Sequence, residues 1–274
     1  MSTNTETAAV PPTAARRRWE IPAWISSFAL LLVLLGGSQA YVSLFEISAF
    51  ILPSPVAVLV SWFDMLQTRS LWIHTWITVA ETLAGFFFAV IFGVIVGAIL
   101  GKWPKLEQIL NPFIVTTQVV PKVAIVPLFV LWFGFGMTSK IVVAGLLAFF
   151  PILTNTILGV KSVSLGHRDV MITLNASRLQ TFLQLELRSA LPYILSGMEM
   201  GIVLAIIGAV VGEYLGGNQG LGNLAVKEMN SYDTTRLFAV IIHLSVVGFA
   251  FYAAMVALRR IFIPWHESVL ITRK

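Results

Sequence analysis

The chain contains no cysteine among its 274 residues, and only 11% of them are charged. Without a thiol it can form no disulfide bond, cysteine nucleophile or cysteine-ligated metal site. The four histidines lack the spacing of metal ligands, and the G-x-x-x-x-G-K-[ST] sequence of an ATP-binding P-loop is missing. No Ser-His-Asp or paired-carboxylate pattern is present either. We therefore expect neither an enzyme nor a cofactor or resident metal ion.

Apolar sequence is what the chain has in excess: 57% of its residues are hydrophobic, and the mean hydropathy is +0.87. The formal net charge of +5 does not indicate nucleic-acid binding, because the charges lie between long apolar runs and not on one basic face. Such runs are typical of helices that cross a bilayer. We predict an all-α polytopic membrane protein with six transmembrane helices. The predicted spans are residues 21–45, 72–100, 109–133, 141–160, 193–215 and 237–258.

The sequence before the first span is polar. Residues 1–20 are rich in Ser, Thr, Ala and Pro, which predicts a disordered cytoplasmic tail. Their three consecutive arginines also suit a signal peptide, but the apolar run at 21–45 is too long and lacks a small-x-small cleavage site. Residues 21–71 would hold the first transmembrane helix and an outside loop with a short surface helix. Residues 72–260 would form the membrane core, and residues 261–274 a second cytoplasmic tail.

Lysine and arginine are distributed unevenly between the two sides of this threading. The outer segments would hold only Arg69, Lys140, Lys227 and Arg236, and Lys122 lies within a span, whereas all other basic residues fall on the inner side. Cytoplasmic loops carry an excess of basic residues. We therefore predict a multi-pass membrane protein with both termini in the cytoplasm.

The longest polar interruption in the C-terminal half, residues 164–192, reads SLGHRDVMITLNASRLQTFLQLELRSALP and is called the polar segment below. Its pattern predicts two short amphipathic helices separated by a turn. Asn175 would take a left-handed backbone in that turn, which Asn tolerates better than most residues. The S-x-x-Q sequence from Ser177 to Gln180 is a capping box that would begin the second helix. Pro192 should end the segment.

Small residues recur at every fourth position within two spans, which lets helices approach closely in lipid. The third span contains three prolines, and broken helices of this kind often line the substrate path of a transporter. The small-residue lines are Gly85, Ala89, Gly93, Gly97 and Gly101 in the second span, and Gly197, Gly201, Ala205 and Ala209 together with Gly208, Gly212 and Gly216 in the fifth.

Charged residues inside the spans are candidates for a path, because ionisable groups in a membrane usually face protein or water. Lys122 could contact an anionic or polar solute; alternatively it snorkels to the interface or pairs with an acid such as Glu81. Each acid could likewise line a path or form a hydrogen-bonded helix contact. The candidate path residues are Glu81, Gln118, Pro121, Lys122, Glu199 and Glu213.

The polar segment resembles the cytoplasmic coupling loop of ATP-binding cassette (ABC) importer permeases. That loop has an acid followed by two small residues, a Gly six positions after the acid, and a later Ile-x-Leu-Pro. Asp169 matches the acid, and Asn175 stands at the Gly. Val170 and Met171 take the small positions, Leu185 and Leu187 the Ile and Leu, and Arg188 the Pro.

A second motif resembles one group of these permeases, which serves taurine, alkanesulfonates, nitrate and thiamine-precursor pyrimidines. It is PKVAIVPL at 121–128 followed by LWFG at 131–134, and LPSP at 52–55 also fits. The resemblance covers roughly residues 50–260. Glu81 stands where sulfonate-type relatives often carry Arg, which favours a pyrimidine or flavin-like solute.

The resemblance implies a type I ABC importer permease, a subunit in the bacterial plasma membrane that forms the path for a small polar or anionic solute. The implied partners are an ABC ATPase dimer that hydrolyses the ATP, a second permease subunit (identical or different), an extracytoplasmic substrate-binding protein and the lipid bilayer. The implied coupling residues are Asp169, Val170, Met171, Leu174, Asn175, Ser177, Arg178, Phe182 and Leu187.

An ion-coupled secondary transporter or channel is the alternative class. Its intramembrane charges would then carry ion coupling. Six spans without an inverted repeat, and an inner loop suited to docking, favour the importer permease.

Overall fold

The structure is a computed structural model in which residues 23–264 are described, and all regular secondary structure within that range is helical. The predicted tail at 1–20 and most of that at 261–274 lie outside the described residues. The α-helices are α1 (Ala23–Leu44), α2 (Pro55–Leu66), α3 (Arg69–Lys102), α4 (Pro104–Val119), α5 (Val126–Phe133), α6 (Met137–Lys161), α7 (Leu165–Thr173), α8 (Arg178–Thr181), α9 (Leu187–Gly216), α10 (Leu221–Asn230) and α11 (Thr234–Phe262).

Five of the described helical stretches are long and apolar enough to cross a membrane, and a sixth span results if the bent pair α4 and α5 counts as one. The proline-containing third span predicted at 109–133 corresponds to this bent pair. Helix α4 ends at Val119, a 3₁₀ turn follows at Lys122–Ile125, and the two halves meet at 84°. Pro121 explains the break, because it disfavours helix at Val120, whose backbone is extended (ψ 128°).

Helices α3, α6 and α9 form the centre of the molecule, and the predicted small-residue line of α3 packs against α6. A Cβ on Gly85 would lie 2.6 Å from the Ala144 Cβ, and a Cβ on Gly97 would lie 2.6 Å from the Thr156 Cβ. The two backbones are therefore too close for any side chain at these positions. This is the close approach that small residues permit in a membrane.

The small residues of α9 pack on α6 in the same way. A Cβ on Gly197 would lie 2.9 Å from the Pro151 carbonyl oxygen, and a Cβ on Gly208 would lie 2.8 Å from the Ala144 Cα. Helix α6 is therefore enclosed between α3 and α9. The shared core contains Phe86, Ala89, Ala144, Ala148, Ile152, Ile202, Ala205, Ala209 and Met255.

Helices α2, α10 and α11 pack together at one end of this bundle, called the α10 end. The short helix predicted in the outside loop after the first span is α2, and it buries Val58 and Met65. Leu221 and Leu224 of α10 join Val58 of α2 and Val240 of α11 in one apolar cluster. His243 of α11 also accepts a hydrogen bond from the Trp62 indole N–H at 3.3 Å.

The polar segment begins at the opposite end of α9. Its first helix is α7, as predicted, but the second is not a separate short helix. It starts at Arg178, passes through a π-helical turn at Phe182–Glu186, and continues as α9. Pro192 lies inside α9 and does not end the segment. That prediction is wrong because a transmembrane helix tolerates proline where its neighbours satisfy the freed backbone groups.

Candidate functional site

Helix α7 exposes its apolar side chains. Ser164 caps its N-terminus by accepting a hydrogen bond from the His167 backbone N–H. No residue of the helix is buried; Ile172 is 71% exposed, and Leu174, directly after the helix, is 70% exposed. An exposed apolar surface of this kind often marks an interaction site.

Asn175 has a positive φ of 51°, which confirms the predicted left-handed turn. The Ala176 N–H donates to the Met171 carbonyl and the Asn175 N–H donates to the Ile172 carbonyl, both at 2.9 Å. These two bonds are the pattern of a Schellman motif, which ends a helix on one left-handed residue. The turn therefore fixes the direction in which the chain leaves α7.

The predicted capping box begins the second helix. The Ser177 hydroxyl accepts from the Gln180 N–H, and the Gln180 side chain accepts from the Ser177 N–H at 2.7 Å. One helical turn later, the ring of Phe182 lies under the Lys102 ammonium, 4.2 Å from its nitrogen to the ring centroid. The segment is thereby attached to the last turn of α3.

The nine predicted coupling residues all lie on α7, on the turn, or in the first turns of the helix that begins at Arg178. Their environments differ. Met171 and Phe182 are half-buried, and the remaining seven are exposed: Asp169, Val170, Leu174, Asn175, Ser177, Arg178 and Leu187. Their role in coupling stays a prediction.

Glu186, at the end of the π-helical turn, was not among the predicted site residues. Its carboxylate forms ion pairs with Lys102 and Arg168. These partners lie 84 and 18 positions away along the chain, so no local pattern indicates the contact. The only available signal is an acid next to a coupling-loop motif.

A second group of ionisable residues, called the buried charge cluster, consists of Glu81, Lys140 and Glu213 near the α10 end. The Lys140 Nζ lies 3.3 Å from the Glu81 Oε1. Lys140 is buried in α6, which begins at Met137. The prediction that Lys140 belongs to an outside turn at 134–140 is therefore wrong. Its ion-pair partner is Glu81.

Glu213 attaches the loop before α10 to α3. Its carboxylate accepts from the Thr78 hydroxyl and from the Gly222 backbone N–H, both at 2.6 Å. Gly220 has a φ of 104°, and a Cβ there would lie 2.1 Å from the Glu213 Cδ. Any side chain larger than hydrogen would therefore displace the carboxylate. Because both Glu213 oxygens are engaged within the protein, the geometry favours the helix-contact reading of this acid.

A cavity of about 340 Å³ adjoins the buried charge cluster. Its lining combines charged and amide side chains with the apolar residues at the start of α6. The lining residues are Ile77, Glu81, Phe135, Gly136, Met137, Lys140, Asn218 and Gln219.

The other candidate path residues lie apart from this cluster. Lys122 is half-buried, with its Nζ 5.0 Å from the centroid of the Phe150 ring, and it does not pair with Glu81. Glu199 pairs with Arg259 of α11 at 3.1 Å. Gln118 and Pro121 are exposed on either side of the break between α4 and α5. The structure therefore does not gather these residues into one site, and a path role for each stays a prediction.

Comparison with known families places residues 89–263 in the family described as the binding-protein-dependent transport system inner membrane component. The chain belongs to this family. It is the inner-membrane permease subunit of a bacterial ABC importer, as the resemblance of its polar segment predicted. Such permeases work with an ATPase and a substrate-binding protein.

The permease is similar to curated relatives along most of its length. It is 38% identical to the riboflavin transport system permease protein RibX of Chloroflexus aurantiacus over 94% of this chain and 96% of that protein. It is 34% identical to the formylaminopyrimidine transport permease protein ThiX of Halalkalibacterium halodurans over 82% of this chain and 92% of that protein. The taurine transport system permease protein TauC of Escherichia coli is 32% identical, with coverages of 92% and 94%.

The fold also matches a solved structure. The permease aligns with a chain of the inward-facing MetNI methionine ABC transporter with a TM-score of 0.63 and 19% identity, over 70% of this chain and 96% of that one. The type I importer permease fold is thereby confirmed. The alternative class, a secondary transporter or channel, does not fit this family.

Proposed function

We propose that the polar segment is the surface on which an ABC ATPase dimer docks. The observation that carries this proposal is the exposed apolar side of α7 in a permease whose family works with an ATPase. At 3.6 residues per turn, Val170 and Leu174 lie about 160° and 120° around the helix from Arg168. Since Arg168 faces Glu186 and the membrane helices, these two apolar residues face away from the bundle.

The alternative interpretation is an amphipathic helix lying on the membrane surface. Such a helix would turn its apolar side toward the lipid and therefore back toward the bundle. Val170 and Leu174 have the opposite orientation, whereas the exposed Leu165 and Ile172 lie about 60° and 40° from Arg168, on the side of the bundle. An apolar helix face that points away from its own protein suits insertion into a groove of a partner.

Alanine substitutions test the docking surface. Leu174→Ala should release the ATPase during co-purification, because truncating a buried anchor commonly costs about 2 kcal/mol or more of binding free energy. Phe182→Ala should act in the same direction. Arg178→Ala is the control, since an exposed rim charge contributes little. Full ATPase content in both Leu174→Ala and Phe182→Ala would overturn the proposal.

The solute of this permease, we propose further, is a neutral nitrogen heterocycle of the riboflavin or formylaminopyrimidine kind. Two of the permease's relatives are named for these solutes. The buried charge cluster supports the same class, because it holds two acids for one lysine and so offers no free cation to a sulfonate or nitrate. The adjoining cavity has carboxylate and amide groups that match ring N–H and C=O groups.

Uptake measurements distinguish the solute classes. Vesicles that contain the complete transporter should accumulate riboflavin or formylaminopyrimidine on addition of ATP and the binding protein, but not taurine or nitrate. ATP-driven uptake of taurine or nitrate alone would contradict the proposed class. Lys122→Met tests the remaining intramembrane cation: unchanged affinity and rate would remove Lys122 as a solute contact.

We also propose that the path forms between this permease and a second permease subunit. Both termini of the permease lie in the cytoplasm in this proposal. The asymmetry of the basic residues supports this orientation. Single cysteines can be placed without background because the chain has none. A label after Gly134 should react from outside and one after Gly166 from inside. Labelling of the Gly166 site from outside would overturn the orientation.

A further inference from the structure

Glu186 lies where three parts of the permease meet. Its Oε2 is 2.8 Å from the Nζ of Lys102, in the last turn of α3, and its Oε1 is 3.5 Å from the Nη2 of Arg168 on α7. Glu186 itself precedes α9 directly, and only 8% of the residue is exposed. One carboxylate therefore connects α7 with both α3 and α9.

Helix α7 has few other contacts with the rest of the protein. None of its residues is buried, and Arg168 provides its one ion pair within residues 23–264. Apart from its covalent ends and the packing of the half-buried Met171, α7 is held to the membrane helices by the contact between Arg168 and Glu186.

The backbone at Glu186 is also unusual. The Leu187 N–H donates to the Phe182 carbonyl, five residues earlier, so the turn between them is π-helical. Such turns are rare and often occur at functional sites. The first and last residues of this turn both contact Lys102, through the Phe182 ring and the Glu186 carboxylate. The π-helical turn is thus clamped to the end of α3.

We propose that Glu186 is a positioning residue that makes α7 move as one body with the ends of α3 and α9 when the ATPase acts. This inference rests on the proposed docking of the ATPase to the polar segment. The pair with Arg168 carries displacement of α7 to the start of α9, and the pair with Lys102 carries it to α3. Loss of the carboxylate would leave the ATPase bound while α7 moves independently.

Spin labels test the proposal in the complete transporter. Label sites at Gly166→Cys and Lys105→Cys report the separation of α7 from the α3–α4 corner; both residues are exposed, and a Cβ on Gly166 would meet no atom within 4 Å. With Glu186 intact, we expect one narrow distance that is the same without nucleotide and after trapping with ATP and vanadate. In Glu186→Gln, the distance should broaden and shift on trapping, with ATPase content unchanged.

A double-mutant cycle and a matched pair serve as controls. Arg168→Met should produce the same broadening as Glu186→Gln, and the double variant no more than either, because paired groups are not additive. The ion pair between Lys161 and Glu107 is a suitable control. It joins α6 to α4 and has side-chain exposures of 41% and 17%, close to the 41% and 11% of Arg168 and Glu186. Lys161→Met should leave the distance narrow.

The outcomes separate this inference from the docking proposal. Release of the ATPase by Leu174→Ala, together with a broadened distance in an ATPase-bound Glu186→Gln complex, supports both. An unchanged distance in that complex overturns the positioning role and leaves docking intact. Loss of the ATPase from Glu186→Gln also overturns it, because Glu186 would then support docking itself. Broadening in Lys161→Met would overturn the specific role of Glu186, because any ion pair at this end would then have the same effect.

Discussion

The core of α3, α6 and α9 and the polar segment show opposite relations between sequence and surroundings. In the core, even glycine positions have neighbours closer than a side chain allows, and charges are buried in contact with one another. In the polar segment, large apolar side chains on α7 have no cover. The core is therefore packed within one chain, whereas the apolar side of α7 is exposed and available to the partner that we propose. Substitutions should thus alter stability in the first region and assembly in the second.

Removal of the buried lysine should have the largest effect on stability. Lys140→Met leaves Glu81 without its cation in a site where only 1% of the Glu81 side chain is exposed. Breaking a buried ion pair costs about 3–5 kcal/mol of unfolding free energy. Equilibrium unfolding in mixed detergent micelles measures it. A loss under about 1 kcal/mol would show that the pair contributes little to the core.

Two controls sharpen this comparison within the membrane. Lys122→Met removes a half-buried lysine that forms no ion pair within residues 23–264 and should cost much less than Lys140→Met. The double variant Lys140→Met with Glu81→Gln should recover part of the loss, because removing both charges costs less than leaving one unpaired. Equal losses in the double and single variants would contradict the ion-pair explanation.

Adding a single methyl group should have the second-largest effect on stability, and it should destabilise the core but not α7. In Gly97→Ala the new Cβ would lie 2.6 Å from the Thr156 Cβ and 2.9 Å from the Leu153 carbonyl oxygen. Overpacking of this kind costs about 1–3 kcal/mol. Gly166→Ala is the matched control in α7, where no atom lies within 4 Å of the new Cβ. A lower melting temperature for Gly166→Ala than for Gly97→Ala would reverse the expected order.

The turn after α7 should give the smallest effect on stability but a clear one on coupling. Asn175→Val forces a β-branched residue into a left-handed backbone, which costs about 1–2 kcal/mol. Asn175→Gly relieves that restriction and should be harmless. ATP hydrolysis and solute uptake, measured on the same vesicles, should remain coupled in Asn175→Gly and separate in Asn175→Val. Coupled transport in Asn175→Val would show that the turn tolerates other conformations.

Local sequence patterns predicted local structure well. The left-handed Asn175 and the capping box at Ser177 depend on residues within one or two turns. The close packing of α3 and α9 on α6 was also predictable, because small residues repeated at every fourth position let helices approach closely in a membrane. Pro192 was misjudged, since whether a helix continues through proline depends on neighbours that the pattern does not contain.

Ion pairs between residues far apart in the sequence could not be predicted from sequence patterns. Lys140 lies 59 positions from Glu81, and its proximity to a Gly-containing turn suggested an exposed loop. Glu186 was missed for the same reason, because its partners come from α3 and α7. The fold class could be predicted from composition and motifs. Which charged residues are buried in ion pairs depends on how the helices pack, and only the structure shows that packing.

The most direct test of the central claim uses photo-crosslinking within the complete transporter. A benzophenone amino acid at Val170 of α7 should form an adduct of the permease with the ATPase, identified by mass. The same group at Met229 of α10, at the opposite end of the bundle and also exposed, should form none. An ATPase adduct from Met229, or an ATPase-containing complex without an adduct from Val170, would contradict the assignment of the polar segment as the docking surface.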